Sequence, residues 1–178
     1  LNTCMEMIDK LRDTAQSHDR CSVVEVMGRR AGYLVLNVGI ACGATSIIVP
    51  EIPFDFEKDI IERMFATSAT GKKHFIIIVA EGVGHVIEMS EKIQARTGIE
   101  TRATILGHVQ RGGSPSLRDR VLASEMGYHA VLLLLDGKSN RVVTIQNDHI
   151  LDYDIEEALQ MKKPFDFELY RMAHEISI

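Results

Sequence analysis

Short apolar runs alternate along the chain with longer segments in which apolar residues recur every three or four positions. The most apolar run is Phe75–Ala80 (FIIIVA). A continuous run rich in β-branched residues is typical of a strand that is covered on both faces, as in a parallel sheet. Similar patterns predict further strands at Ser22–Met27, Ser46–Val49, Thr101–Leu106 and Arg141–Ile145.

Helical periodicity fills the segments between these strands. Helices are predicted over residues 4–16, 31–42, 56–68, 86–96 and 117–135, with short helices near 154–160 and 167–175. The alternation of strand and helix predicts an α/β fold with an open, mostly parallel sheet and helices on both faces. In such sheets, ligands bind beyond the carboxyl ends of the strands.

The loop Gly107–Ser116 (GHVQRGGSPS) joins a predicted strand to the longest predicted helix. Its adjacent glycines permit a positive φ, Ser114 suits an N-cap and Pro115 suits the first helical position. A helix that begins there presents unpaired N–H groups and a positive dipole end to an anion. His108 and Arg111 flank this position, and a guanidinium can bind two phosphate oxygens. A polar turn before a well-capped helix is the alternative interpretation.

Charged residues gather where three predicted strands end. Gly28–Arg29, Glu81–Gly82 and the loop that carries His108 and Arg111 all follow strands, so they are expected at one edge of the sheet. A phosphate monoester has a charge of about −1.5 to −2 at neutral pH, which arginines and a histidine match. For each arginine taken singly, a solvated surface side chain is an equally good interpretation.

Two further arginines, Arg20 and Arg102, also lie next to strand ends. Arg102 stands among apolar neighbours, where an unpaired charge is costly, and this favours a specific partner. Glu81 ends a buried strand, and its carboxylate suits either sugar hydroxyls or a nearby base or cap. Met27 ends another strand, and by itself it indicates only core packing.

Composition argues against several classes of protein. The net charge is −5, so a broad nucleic-acid-binding face is not expected. The apolar runs fall far short of the ~20 residues that span a membrane, so no membrane partner is expected. The three cysteines are an odd number without C-x-x-C spacing, which favours neither disulfides nor zinc and predicts a reduced, cytoplasmic compartment.

No complete nucleotide-binding or hydrolase motif is present in the sequence. The segment Glu81–Ile87 (EGVGHVI) follows a strand, but Ile87 occupies the position of the third glycine of a dinucleotide fingerprint. Neither a P-loop nor a G-x-S-x-G elbow occurs. The residues therefore predict anion binding without visible catalytic machinery and without a metal site.

Several motifs occur together in a recognisable order and spacing. They are SHDR at Ser17–Arg20, EVMGR at Glu25–Arg29, GKKH at Gly71–His74, AEG at Ala80–Gly82, ETR at Glu100–Arg102 and GHVQRGGSP at Gly107–Pro115. Essentially the whole sequence resembles the carboxyl-terminal half of the bacterial ATP-dependent 6-phosphofructokinases. The resemblance implies a phosphofructokinase-like sheet that is incomplete in this segment. It also implies that the whole enzyme phosphorylates fructose 6-phosphate to fructose 1,6-bisphosphate in glycolysis.

The resemblance implies a site for the sugar's 6-phosphate. His108 and Arg111 would hold this phosphate directly. Two further arginines, Arg20 and Arg102, would reach this phosphate from a neighbouring subunit. The homo-oligomer is expected to be a tetramer. The remaining substrate-binding positions of the same loop would be Val109 and Gln110.

The sugar and the transferred phosphoryl group would be bound by the other two loops. By resemblance, Met27, Gly28 and Glu81 would line the sugar. Arg29 would contact the substrate and act as the one catalytic residue of this segment, because its charge would offset that of the transferred phosphoryl group.

A second site is implied for an allosteric effector, either a nucleoside diphosphate or phosphoenolpyruvate. The positions that match it are Arg12, Gly43, Lys72, Lys73 and His74. Two positions depart from the family's pattern. Thr45 replaces a glutamate that would help to hold the effector's magnesium ion, and Thr70 replaces a lysine or arginine.

The family's topology implies a division into lobes. Residues 1–109 would belong to the fructose 6-phosphate lobe, 110–159 to the nucleotide-binding lobe, and 160–178 would return to the substrate lobe. The strand near Val143 would then lack sheet neighbours. ATP and Mg²⁺ would bind mainly through the family's amino-terminal half, which also carries the general base. Two alternatives stay open: a non-catalytic sugar-phosphate-binding or regulatory module, and a pyrophosphate-dependent phosphofructokinase.

Overall fold

The computed structural model describes residues 1–177, in which strands and helices alternate. The helices are α1 (Asn2–Ser17), α2 (Tyr33–Ala41), α3 (Arg63–Ala69, preceded directly by the π-helical segment Glu57–Glu62), α4 (Val86–Thr97), α5 (Leu117–Leu135), α6 (Ile155–Gln160) and α7 (Phe167–Ile176). The strands are β1 (Cys21–Val26), β2 (Ser46–Ile48), β3 (Phe75–Ala80), β4 (Thr101–Ile105), β5 (Arg141–Gln146) and β6 (His149–Asp154).

A four-stranded sheet in the order β2-β3-β1-β4 is the centre of the fold. Every neighbouring pair in it is parallel. Strand β3 lies inside the sheet and all of its residues are buried, which is why its sequence is continuously apolar rather than alternating. The predicted α/β fold with an open, mostly parallel sheet is therefore confirmed.

Helices cover both faces of this sheet, as predicted. Residues of α1, α2 and α7 form one apolar layer, which includes Ile8, Leu36 and Ala173. The π-helical segment, α3 and α4 form the layer on the other face, with Ile60 and Ile93 fully buried. Alternate residues of β3 enter the two layers, as the period of two of a strand requires.

The last helix is joined to the sheet by polar contacts as well as by apolar packing. The Tyr170 hydroxyl donates to the Ile47 carbonyl at 3.2 Å. The Arg63 guanidinium donates to the His174 carbonyl at 2.9 Å and to the Thr45 carbonyl at 3.0 Å. Residues 1–112 and 165 onward consequently form one compact unit.

Residues 113–164 form a second compact unit. It contains α5, the antiparallel hairpin β5–β6 and α6. Asn147 and Asp148 both adopt left-handed φ values, of 51° and 61°, as a two-residue hairpin turn requires. The expectation that the strand near Val143 lacks a neighbour is wrong, because β6 pairs with it. Arg141 Nε joins the two strands by donating to Asp152 Oδ2 at 2.7 Å.

The two units do not by themselves test the lobe assignment. Compact packing divides the chain after Gly112 and again after Pro164. The assignment of residues 1–109 and 160–178 to a substrate lobe, and of 110–159 to a nucleotide-binding lobe, stays a prediction. Its last position, Ile178, lies outside the described residues.

All three thiols are buried and free. Burial raises the pKa of Cys21 to about 12 and that of Cys4 to about 11, and it also raises the pKa of Cys42. These thiols are therefore weak nucleophiles at neutral pH. Over residues 1–177, none of the helices combines the length and the hydrophobicity that a transmembrane span needs.

Helix α5 begins at Leu117, where its periodicity predicts, but the predicted cap at Ser114 is wrong. Ser116, not Ser114, is its N-cap, and Leu117, not Pro115, is its first residue. Ser116 and Asp119 form a reciprocal capping box, in which the Ser116 hydroxyl accepts from the Asp119 amide at 3.2 Å and the Asp119 carboxylate accepts from the Ser116 amide at 2.9 Å. This pair satisfies two terminal donors at once, which a cap at Ser114 cannot do.

The two serines provide a matched test of this cap. Ser116→Ala removes the side-chain acceptor and should lower the free energy of unfolding by about 1 kcal/mol, whereas Ser114→Ala should change it by less than about 0.5 kcal/mol. Urea titration followed by circular dichroism measures both variants. Equal losses would show that neither hydroxyl acts as a specific cap.

Candidate anion-binding edge of the sheet

The loop after β1 begins with a tight turn at the carboxyl edge of the sheet. The Ala31 amide donates to the Gly28 carbonyl at 3.0 Å. A Cβ on Gly28 would lie 2.5 Å from the Ala31 carbonyl oxygen, so the turn needs glycine at this position. Arg29 has a φ of 53°, in the left-handed region that is unfavourable for a side chain of this size. Its guanidinium is on an exposed residue.

Side chains from three other loops accept hydrogen bonds from the amides of this loop. Gln110 Oε1 accepts from the Met27 amide at 2.8 Å. Glu81 Oε1 accepts from the Arg29 amide. Glu51 Oε1 accepts from the Gly32 amide at 2.8 Å. The backbone of the loop is thus fixed at three points by residues that follow β3, β4 and β2.

His108 and Arg111 lie on a short 3₁₀-helix, Gly107–Arg111, directly after β4. The helix is anchored by Leu106, which is buried and whose amide donates to the Glu25 carbonyl at 3.2 Å. His108 and Arg111 are exposed, as is Val109 with 55% of its surface accessible. Helix α5 begins only at Leu117, so the side chains of the 3₁₀-helix, rather than the first turn of α5, are the candidate anion-binding groups.

The structure brings most of the predicted substrate residues to one edge. Met27, Gly28 and Arg29 follow β1, Glu81 follows β3, and the loop from His108 to Arg111 follows β4. The hydrogen bonds of Gln110 and Glu81 join the three loops to one another. The predicted convergence of these loops is therefore observed, while their binding roles stay predictions.

A second carboxylate lies beside Glu81 in this edge. Burial, and to a lesser extent the charge of Glu81, raise the pKa of Glu25 above its ordinary value. The folded chain therefore binds the Glu25 proton more tightly than the unfolded chain does. A positive group that approached both carboxylates would relieve this repulsion, and a negative group would increase it.

Arg20 and Arg102 lie at the opposite edge of the sheet. They flank the amino ends of β1 and β4, which are parallel and adjacent. With a rise of ~3.3 Å per residue, the strands separate the two edges by roughly 15–20 Å. Within one chain, these arginines and the Arg111 loop are therefore not brought together.

The two arginines share one carboxylate at that edge. Arg20 Nε lies 2.7 Å from Glu100 Oε2, and Arg102 Nη2 lies 2.8 Å from Glu100 Oε1. Arg20, and after it Arg102, hold the pKa of Glu100 below its ordinary value. The expectation that Arg102 has a specific partner is met, although its side chain is 63% exposed rather than enclosed by apolar residues.

The residues predicted to bind an effector also lie towards the amino edge. Lys72, Lys73 and His74 precede β3, and Gly43 precedes β2 with a left-handed φ of 55°. Burial, followed by the charge of Arg12, lowers the pKa of Lys72. Burial, Lys72 and Arg12 lower the pKa of His74, in that order. Arg12 and Lys72, with the His74 imidazole beside them, thus form a positively charged group, the cationic cluster, that favours an anion.

The two positions that depart from the family pattern have internal roles. Thr45 is fully buried, and its backbone amide donates to the Ile76 carbonyl at 2.7 Å. The Thr70 hydroxyl donates to the Thr67 carbonyl at 2.7 Å. Neither side chain supplies a charge to the cationic cluster.

Glu51 was not predicted to take part in the edge. Its carboxylate accepts from the Gly32 amide, and it follows β2 after Pro50. This position at the carboxyl end of a buried strand was a usable signal, of the same kind that marked Glu81. The role of Gln110 as an acceptor for the Met27 amide was also missed, because it depends on a contact between loops 83 residues apart.

These features define an α/β protein with a parallel sheet and a candidate anion-binding site at its carboxyl edge. The family model described as phosphofructokinase matches residues 1–134. The chain belongs to the phosphofructokinase family, as its motifs suggested. Among the described residues, no group of three or more His, Cys, Asp or Glu side chains is arranged to hold a metal ion.

Curated relatives match the whole of this chain. The ATP-dependent 6-phosphofructokinase of Bacillus cytotoxicus is 53% identical over 178 residues, and that of Brevibacillus brevis is 55% identical over the same length. The chain spans 56% of the length of each of these relatives. A solved structure of phosphofructokinase from Saccharomyces cerevisiae matches with a TM-score of 0.83 at 31% identity. The match covers 89% of this chain and 22% of the yeast chain.

The raised pKa of Glu25 predicts a pH-dependent gain in stability for Glu25→Gln. The folded chain disfavours the charged Glu25 carboxylate. The stability that protonated Glu25 contributes is fully present below the ordinary carboxyl pKa of 4.5, and it is lost as the pH rises through the pKa of Glu25 in the folded chain. The variant should therefore have a higher melting temperature than wild type at about pH 8, and the difference should shrink towards about pH 5.

Differential scanning fluorimetry across this range measures the effect. Glu91→Gln, at an exposed position of α4, is the matched control. A Glu25→Gln difference that stays constant, or grows as the pH falls, would contradict the raised pKa of Glu25.

Proposed function

We propose that this chain is the substrate-binding half of an ATP-dependent 6-phosphofructokinase, which phosphorylates fructose 6-phosphate to fructose 1,6-bisphosphate in glycolysis. The observation that carries the proposal is the joining of the Arg29, Glu81 and Arg111 loops at one edge of a sheet of this family. Both curated relatives described above are named as ATP-dependent enzymes, and this favours ATP over pyrophosphate as the donor.

The 6-phosphate is bound by the 3₁₀-helix after β4. Arg111 and His108 are exposed on one short helix and supply guanidinium and imidazole donors. Val109 and Gln110 complete this surface, and Gln110 also fixes the Met27 amide. Charge-assisted hydrogen bonds from such groups are the stronger kind, which suits a dianionic phosphate.

The sugar lies against Met27, Gly28 and Glu81. Glu81 Oε1 is committed to the Arg29 amide, so Oε2 is the oxygen that accepts from a sugar hydroxyl. This contact holds the sugar beside the loop that carries Arg29. A hydroxyl on the sugar is then presented to the phosphoryl donor at the same edge of the sheet.

Arg29 offsets the negative charge of the phosphoryl group during transfer. In this reaction the protein contributes mainly position and electrostatic stabilisation, because little covalent chemistry is required of it. A fixed guanidinium is effective in that role since it needs no reorganisation as charge develops. ATP and Mg²⁺, which supplies charge neutralisation at the phosphates, bind mainly through the part of the relatives' length that this chain does not span.

Arg20 and Arg102 act on the site of a neighbouring subunit in a homotetramer. Their position at the opposite edge of the sheet supports this assignment, because they do not meet Arg111 within one chain. Glu100 holds both guanidiniums in fixed orientations. The lobe assignment given above, with residues 110–159 in the nucleotide-binding lobe, belongs to the same proposal.

Loss of Arg111 should weaken substrate binding. The test uses the chimera, defined as this chain joined to the portion of the Bacillus cytotoxicus relative that it does not span. Arg111→Ala removes a charge-assisted contact of about 1.5–3 kcal/mol, so the Kd for fructose 6-phosphate should rise roughly tenfold to a hundredfold in calorimetric titration.

Arg118→Ala is the matched control for Arg111→Ala. Arg118 is also an exposed arginine, with 78% of its side chain accessible, and it pairs with Asp148 at 2.9 Å. Its removal should leave the Kd for fructose 6-phosphate within about twofold of wild type. Equal effects of the two variants, or none from Arg111→Ala, would refute the phosphate site.

The cationic cluster of Arg12, Lys72 and His74 supports a second, effector-binding site, with Gly43 and Lys73 at its border. Arg12→Gln should weaken the binding of phosphoenolpyruvate or of a nucleoside diphosphate to the chimera about tenfold, and it should leave fructose 6-phosphate binding unchanged. Because Thr45 replaces a carboxylate and is buried, this binding should not depend on Mg²⁺.

Titrations with each effector, with and without Mg²⁺, measure this outcome. Lys10→Gln, on the same helix and paired with Glu6, is the control and should bind effector like wild type. Effector binding that survives Arg12→Gln would place the site elsewhere, and binding that requires Mg²⁺ would contradict the role given to Thr45.

A further inference from the structure

Gly82 lies against the backbone of Arg29, 53 positions earlier in the sequence. A Cβ on Gly82 would come within 3.0 Å of the Arg29 carbonyl oxygen and would lie 3.3 Å from Arg30 Cα. Both atoms belong to the backbone, so no side-chain rotation could relieve the clash. The backbone of Gly82 itself does not have a left-handed φ. Glycine is therefore needed here for the close approach of the loop and not for its own conformation.

Arg29 is held in an unfavourable conformation from two sides. Its left-handed φ of 53° is unfavourable for a residue with a side chain, and it persists only where neighbours impose it. Its amide donates to Glu81 Oε1. Its carbonyl oxygen faces Gly82, the residue after Glu81, where an added Cβ would clash with it. The amide of Arg29 is thus hydrogen-bonded by the segment that follows β3, and its carbonyl has room only because position 82 is glycine.

The other glycine of this region has a separate role. Gly28 is required by its contact with the Ala31 carbonyl oxygen, inside the turn itself. It shapes the turn but does not connect it to another loop. Gly82 is different, because it belongs to the loop after β3 and determines how closely that loop approaches Arg29.

We propose that Gly82 is a positioning residue that, through its contact with the Arg29 carbonyl, sets the direction in which the Arg29 guanidinium leaves the backbone. The proposal rests on the phosphoryl transfer proposed above. A side chain at position 82 would push Arg29 away from Glu81 and release its left-handed φ. The guanidinium would then no longer be fixed where charge develops, although the groups that bind fructose 6-phosphate would remain in place.

Gly82→Ala in the chimera tests this inference. A displacement of about 1 Å at a charged group can lower a rate up to roughly a hundredfold, so kcat should fall at least tenfold. The KM for fructose 6-phosphate should stay within about twofold, because Arg111 and His108 are untouched. Gly127→Ala, a glycine with open space around the added Cβ, is the matched control and should leave both constants near wild type.

A double-mutant cycle separates a positioning role from a general structural one. If Gly82 acts through Arg29, adding Gly82→Ala to Arg29→Ala should lower kcat no further, whereas independent effects would multiply. Multiplying effects would overturn the proposal. So would a rise in KM with unchanged kcat, since that result would mean that Gly82 acts on substrate binding through Glu81.

Hydrogen exchange provides a readout that does not depend on activity. In wild type the Arg29 amide is bonded to Glu81, and Gly82→Ala should accelerate its exchange about tenfold or more, as followed by mass spectrometry of peptides that contain it. Unchanged exchange would overturn the proposal. An inactive wild-type chimera would count against the proposed function alone, because the exchange experiment would still decide the role of Gly82.

Discussion

The in-register parallel pairing of β1 with β3 is the constraint on which the rest of the structure depends. Cys21 pairs with Phe75 and Val26 pairs with Ala80, so the two strands start and stop together. The segments that follow them therefore leave the sheet side by side. This is why a glutamate after β3 can accept from an amide in the loop after β1, and why a glycine there can touch the same loop.

The sheet also separates two groups of positive charge. One group, at the carboxyl edge, consists of Arg29, His108 and Arg111. Towards the amino edge lie the cationic cluster and the two arginines that pair with Glu100. The chain as a whole carries a net charge of −5, so these are local concentrations and not a general basic surface. Each is therefore a candidate position for a small anion.

Polar side chains at the carboxyl edge hydrogen-bond to the backbone of the loop after β1. Gln110, Glu81 and Glu51 each accept from an amide of the loop after β1. A loop amide fixed in this way does not have to be ordered when a ligand binds, which lowers the cost of binding. The same carboxylate of Glu81 has a second oxygen, and it can therefore hold the loop and contact a ligand together.

The sequence by itself determined most strands and helices, the parallel sheet and the loops that meet at its carboxyl edge. These follow from local signals, namely the periodicity of strands and helices and the position of a residue directly after a buried strand. It missed β6, whose turn is marked only by Asn147 and Asp148, and it placed the cap of α5 at Ser114. The Ser116–Asp119 capping box of α5 is itself a local pattern, which was overlooked. Only the tertiary structure decided that Arg20 and Arg102 share Glu100 at the far edge, and that Glu51 and Gln110 hold the loop after β1. Those outcomes depend on strand register and on contacts between distant segments, which no local pattern encodes.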